Sequence, residues 1–167
     1  MSDTTDPADR AADFIAGLNL TPHPEGGYFR EVHRSAARVQ PADGRAARLA
    51  LTTIYFLLVA GQVSRWHRVA SDEVWHYYEG DPLELLVADA GFDVVSRRRL
   101  GPVGNGIEPV HVVVAGEWQA ARPTGRYTLV GCTVGPGFEF EDFQMLDALA
   151  DEAAALRGRH PDLAAFI

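Results

Sequence analysis

The chain has 167 residues, a formal net charge of −8 and a sequence pI near 5.1. That length suits one domain with a substantial core, and the acidic balance argues against a nucleic-acid backbone or an anionic membrane surface as main partner, since both require clustered positive charge. One cysteine, Cys132, excludes an internal disulfide framework and a thiolate zinc cluster.

The first residues, Met1 to Arg10, are acidic and polar with no apolar core of a signal sequence, and no stretch nears the ~20 apolar residues that span a bilayer. The expectation is a cytoplasmic protein with no membrane partner. Asp6 before Pro7 is a helix start signal, and Ala11, Phe14, Ile15 and Leu18 share one stripe, which predicts a helix over Pro7–Leu18. Tyr28–Val32 reads as extended, and Arg34–Arg48 as a polar surface loop.

From residue 49 onward, short runs rich in Val, Ile, Thr, Tyr and Phe alternate with turn residues. They predict strands at 51–59, 63–69, 73–79, 83–89, 92–99, 110–114, 119–121 and 127–134. Helical spacing is nearly absent there, which favours an all-β barrel or two-sheet jelly roll over a parallel α/β fold. Arg97, Arg98 and Arg99 read as a solvated strand end, and Cys132, within an apolar run, as a buried structural thiol. Phe143, Leu146, Leu149, Ala153 and Leu156 repeat near 3.6 and predict a C-terminal helix. The whole chain is read as one domain, residues 1–167, with a barrel core over about 28–143.

Chemistry concentrates between Gly61 and Gly80. His67 follows Gly61 after five residues, Val69 comes two later, Glu73 follows after three more, and Gly80 after a further six. Side chains two apart on a strand share a face, and a short turn brings Glu73 back opposite them. This spacing resembles the first cupin motif with its second histidine replaced by Val69. Gln119, in Val114-Ala115-Gly116-Glu117-Trp118-Gln119, stands where the second motif ends in histidine. The chain is similar to one cupin group, DUF985 or cupin-5, through His23-Pro24-Glu25-Gly26-Gly27-Tyr28-Phe29-Arg30-Glu31, Ser64-Arg65-Trp66-His67, Glu73 to Gly80, Trp118-Gln119-Ala120 and Gly135 to Phe143. The resemblance covers about 19–145. It implies a cupin jelly-roll β-barrel with short N-terminal and C-terminal helices, pairing as a homodimer, and a group described as predicted sugar epimerases. Cupins commonly hold a divalent metal at these positions; here the set would be His67, Glu73 and Gln119, and a neutral amide is a weak ligand. No metal or other cofactor is expected.

Three readings follow. In the first, the protein is a metal-independent epimerase or isomerase acting on a small polar, sugar-like metabolite, with His67 as base assisted by Glu73. Tyr28, Arg30, Trp75, Tyr77, Gln119 and Phe140 are the candidate substrate contacts: Arg30 as a fixed positive fork, Tyr28 and Tyr77 as phenolic acids, Trp75 and Phe140 as walls, and Gln119 as a bridge between His67 and Glu73. The second is a non-catalytic metabolite-binding module using the same pocket. The third is a metal-dependent oxygenase or isomerase with the reduced ligand set. Strand alternation places His76 on the opposite face from Glu73, and His23 precedes a Gly-rich stretch that reads either as crossing the pocket mouth or as a plain tight turn before an edge strand; His33, His111 and His160 read as structural or exposed.

Overall fold

The computed structural model describes residues 7–167; the polar stretch ahead of Pro7, with the Asp6 start signal, lies outside the described residues. Helix α1 (Pro7–Gly17) precedes β1 (Thr21–Pro22), β2 (Tyr28–Arg34), β3 (Arg38–Val39), β4 (Arg48–Leu49), β5 (Thr52–Val59), β6 (Ser64–Val69), β7 (Asp72–Gly80) and β8 (Leu83–Ala88). There follow β9 (Val95–Leu100), β10 (Val110–Val113), β11 (Trp118–Pro123), β12 (Tyr127–Gly135), β13 (Phe143–Met145) and helix α2 (Ala150–Arg159). One sheet has six strands in the order β1-β2-β5-β12-β7-β10, the other five in the order β13-β6-β11-β8-β9, and β3 pairs with β4 inside the loop predicted over 34–48. Every named ladder is antiparallel, as short alternating strands joined by tight turns require.

The expected closed barrel is instead a two-sheet jelly-roll sandwich. At one edge, β9 and β10 are joined by side chains reaching carbonyls, Arg98 Nη1 to Val112 O at 2.6 Å and the His111 ring to Arg99 O at 3.1 Å, where a barrel would have a backbone ladder. Side-chain donors satisfy the edge without closing it. The C-terminal prediction is also corrected. Phe143–Met145 adds a strand to β6, Leu146–Ala148 is a single 3-10 turn, and the helix starts only at Ala150. An open strand edge outweighs a short helical periodicity.

Burial divides the molecule into layers. Between the sheets, Phe56, Leu58, Trp75, Leu85, Val87 and Val130 fill one end. On the far face of the five-stranded sheet, Trp66, Phe92, Trp118 and Leu146 pack with Leu156 and Phe166 of the C-terminal helices. Helix α1 covers part of the outer face of the six-stranded sheet through Ala11, Phe14 and Ile15 against Leu57 and Tyr127, and Arg10 donates two hydrogen bonds to Glu79, each 2.9 Å.

Phe92 shows how tertiary packing can dictate backbone. It has φ of 56° although it carries a side chain, and its fully buried ring lies 5.6 Å from Trp66 and 5.7 Å from Trp118. A left-handed residue with a Cβ costs roughly 1–2 kcal/mol, which burial of the ring outweighs. Phe92→Ala should cost about 3–5 kcal/mol in urea denaturation. Phe92→Gly should cost no more than Phe92→Ala, because glycine accepts this φ freely; a glycine variant clearly less stable than the alanine variant would show that the turn is unstrained.

Candidate functional site

The end of the sandwich left open by the apolar core is a cavity of about 90 Å³. Register defines it. Thr52 pairs with Val134 and Val134 with Glu73, while Ile54 pairs with Cys132 and Cys132 with Trp75. The first row and part of the second face the cavity, and the strands' other halves enter the core. From the opposite sheet β6 supplies His67 and Val69, two apart and on one face.

The turn between β1 and β2 forms the remaining wall. His23 N donates to Gly27 O at 3.0 Å, and Gly26 N to His23 O at 3.0 Å, closing a tight turn. Gly26 (φ 115°) and Gly27 (φ 70°) are required: a Cβ on either would run into Val63 O or Leu57 O. Arg65 N donates to Glu25 O at 2.8 Å and the Arg65 guanidinium to Pro24 O at 2.8 Å, pinning the turn to β6. His23 and Glu25 are thereby thrust into the cavity.

Four ionisable groups converge on the cavity floor, none more than a tenth exposed. His67 Nδ1–H donates to Arg65 O at 2.7 Å, which leaves Nε2 as the acceptor nitrogen. Nε2 lies 3.2 Å from Glu25 Oε2, so the pair holds one proton between two acceptors. Ser64 Oγ donates to Glu25 Oε1 at 2.8 Å. Glu73 is oriented by a relay, with Trp75 Nε1 donating to Gln119 Oε1 at 2.9 Å and Gln119 Nε2 donating to Glu73 Oε2 at 2.6 Å. Burial pushes both carboxyls above their ordinary range, with the nearby imidazoles opposing it. Burial likewise pushes both imidazoles down, against the attraction of Glu73 for His67 and of Glu25 for His23. Cys132 faces Glu73, and burial and that carboxyl raise its thiol well above the ordinary range, so it is an inert lining residue.

At the mouth Phe138, Phe140 and Phe143 meet edge to face, with centroids 5.1 to 6.2 Å apart, and Phe140 is 61% exposed. Arg34 bonds Glu31 and reaches across to Glu139 at 2.8 Å. The segment carrying these phenylalanines is anchored by Asp142, whose carboxylate accepts two bonds from Arg48, at 2.8 and 3.0 Å, and one from Arg45 at 2.8 Å.

His67, Glu73 and Phe140 therefore line the cavity, while five other sequence candidates do not. Tyr28 packs under α1, and Arg30 lies over the Tyr55 ring at 5.4 Å, because Tyr28 and Arg30 face outward while Phe29 and Glu31 face inward, an alternation that holds up to the register shift between Glu31 and His33. Trp75 and Tyr77 point between the sheets but at the filled end, where Tyr77 Oη donates to Gly80 O at 2.7 Å. Gln119 bridges Trp75 to Glu73, not His67 to Glu73. His23 and Glu25 were not singled out as site residues by sequence reasoning; their signal was His23-Pro24-Glu25-Gly26-Gly27, in which the paired glycines mark a close backbone approach.

The donor set does not suit a divalent metal. The Gln119 amide oxygen is taken by Trp75 and its nitrogen points a donor at Glu73, while Val69 has no donor atom. Among the described residues no group of three or more His, Cys, Asp or Glu is arranged to hold a metal ion. Among the described residues no helix is long and apolar enough to cross a membrane.

The family model "Cupin superfamily (DUF985)" matches residues 12–146. A hypothetical protein from Leishmania major is 36% identical with a TM-score of 0.81, covering 94% of this chain and 96% of that one. A protein from Shewanella oneidensis is 32% identical with a TM-score of 0.79, covering 93% and 92%. KdgF from Halomonas sp., 14% identical with a TM-score of 0.51 over 73% and 89%, shares the fold alone. No curated protein matches the chain.

Because its folded imidazole lies below the ordinary 6.5, His67 supports stability fully above that pH and loses this support as pH falls; the raised carboxyls act oppositely, losing theirs as pH rises from 4.5. These opposed contributions overlap, so individual titrations are the cleaner measurement. Imidazole NMR should place His67 below 6.5, and Glu73→Gln should lower it further by removing the attraction. A midpoint that stays fixed or rises in that variant would contradict the electrostatic assignment.

Proposed function

From the premise that this chain belongs to the DUF985 group of the cupin superfamily, we propose that it binds a small polar, sugar-like metabolite between its sheets and moves a proton on it without a bound metal. The observation that carries this reading is the pairing of two buried carboxyls with two buried imidazoles in a cavity that opens to solvent. Groups whose environments displace their proton affinities in opposite directions are the usual makings of acid/base catalysis. A cavity of about 90 Å³ is well below the several hundred Å³ that enclose drug-sized ligands, so a short-chain sugar suits it better than a nucleotide sugar.

The geometry shifts the roles expected from the sequence. His67 has Nδ1 bound to a carbonyl and Nε2 facing Glu25, so it acts as a partner that holds a proton with Glu25. Glu73, aimed by the Gln119–Trp75 relay, is the carboxylate that takes the proton from carbon. The surrounding phenylalanines exclude water and offer apolar ring faces to the C–H side of a sugar. A binding-only module is the second reading, supported by the fact that Gln119 and Trp75 form a network that is complete without any ligand.

In D2O the protein should carry solvent deuterium to the carbon beside the carbonyl of small aldoses or ketoses. Glu73→Gln should slow that exchange about 10²-fold or more. An unchanged rate in this variant sinks the assignment of the base. Tight binding with no exchange in the wild type favours the binding module.

A further inference from the structure

One group on the cavity floor has been given no part in the proton-transfer step itself. His23 reaches it from the β1–β2 turn, and its side chain is 7% exposed. Its ring is clamped edge-on by three phenylalanines: Phe29 at 4.5 Å and 89°, Phe56 at 5.9 Å and 82°, and Phe143 at 6.2 Å and 84°. Such a cage leaves the ring little freedom to turn.

Hydrogen bonding then fixes the tautomer. The backbone N–H of Glu25 donates to His23 Nδ1 at 3.2 Å, so Nδ1 serves as an acceptor and the ring proton resides on Nε2. The Glu25 carboxylate oxygen is farther from the same nitrogen, at 3.5 Å. Among the described residues nothing accepts a bond from Nε2, yet it is not sealed off as the buried Trp118 Nε1 is, and the ring that carries it lines the cavity. His67 is the opposite tautomer, with its Nδ1–H committed to Arg65 O. The floor therefore combines one imidazole acceptor held by Glu25, one imidazole donor turned inward, and the Glu73 carboxylate.

We infer that His23 is the electrophile of this site, presenting Nε2–H to the carbonyl oxygen of a small α-hydroxy aldehyde or ketone. The inference rests on the proton-transfer reading for its chemistry and on hydrogen-bond geometry for the donor. In the step it assists, Glu73 removes the proton from the carbon next to the carbonyl and the C–H pair becomes a C=C bond. The carbonyl π pair moves onto oxygen, where the Nε2–H bond stabilises the resulting enediolate. The protonated Glu73 then returns the proton to carbon, so no oxidant, reductant or metal enters. An imidazole that donates while uncharged suits this role, since it strengthens its hydrogen bond as charge grows on oxygen without surrendering its proton first. The same donor discriminates among ligands: a polyol lacking the carbonyl gains less from it than the matching ketose.

The test uses dihydroxyacetone as probe and imidazole ¹⁵N–¹H NMR as readout. In the wild-type protein at neutral pH, His23 should show Nε2 protonated and Nδ1 bare, and saturating dihydroxyacetone should move the Nε2–H proton downfield. Glu73→Gln should keep that shift while losing deuterium exchange into the probe. His23→Phe should weaken probe binding about tenfold, the worth of one hydrogen bond, and His23→Gln, which retains an N–H donor, should recover part of it. A protonated Nδ1 in the free protein, or a His23 N–H signal that saturating probe leaves unmoved, overturns the inference. Absence of deuterium exchange with the His23 shift intact removes the proton-transfer reading alone and leaves His23 as a carbonyl-binding donor.

Discussion

The constraint on which the rest of the structure depends is the desolvation of Glu25, Glu73, His23 and His67 at one end of the sandwich. Unpartnered charges there would cost more than the fold could bear, so each group is held by a specific neighbour. Ser64 and the Glu25–His67 contact serve one carboxyl, and Gln119 serves the other. Those partners sit on β6 and β11, whose antiparallel register sets His67 opposite Gln119. Polar complementarity at the floor and strand register are thus the same requirement seen at two scales.

This requirement also explains why a motif that commonly carries metal can persist without its full ligand set. Where a second histidine would stand, Val69 presents methyl groups to the cavity, and where a third would stand, Gln119 turns its oxygen to Trp75. The amide thereby becomes a donor to Glu73. The position thus offers an N–H to the Glu73 carboxyl where a histidine would offer a lone pair to a cation.

Much of the fold was legible from alternation, since β5, β7 and β12 follow the apolar runs that predict them. His67 and Glu73 were legible from spacing, because period-2 geometry carries them to one face. Tyr28 and Arg30 were misplaced because nothing local reveals which parity of a half-buried strand faces in; that depends on pairing with β5, across the segment 35–51. Phe143–Met145 carried helical spacing by coincidence and was claimed by the β6 edge. Sandwich and barrel differ here in whether backbone ladders join the sheet edges, as side chains do between β9 and β10, a long-range choice that composition does not encode.

The ion pairs at the mouth have a different consequence. Arg34, Glu31 and Glu139 remain partly exposed, so dissolved salt screens their mutual attraction, while the buried groups on the floor feel much less of that screening. The entrance therefore answers to ionic strength and the floor to proton concentration. Two properties of the surrounding medium thus act on one cavity separately, dissolved salt at its rim and protons at its base.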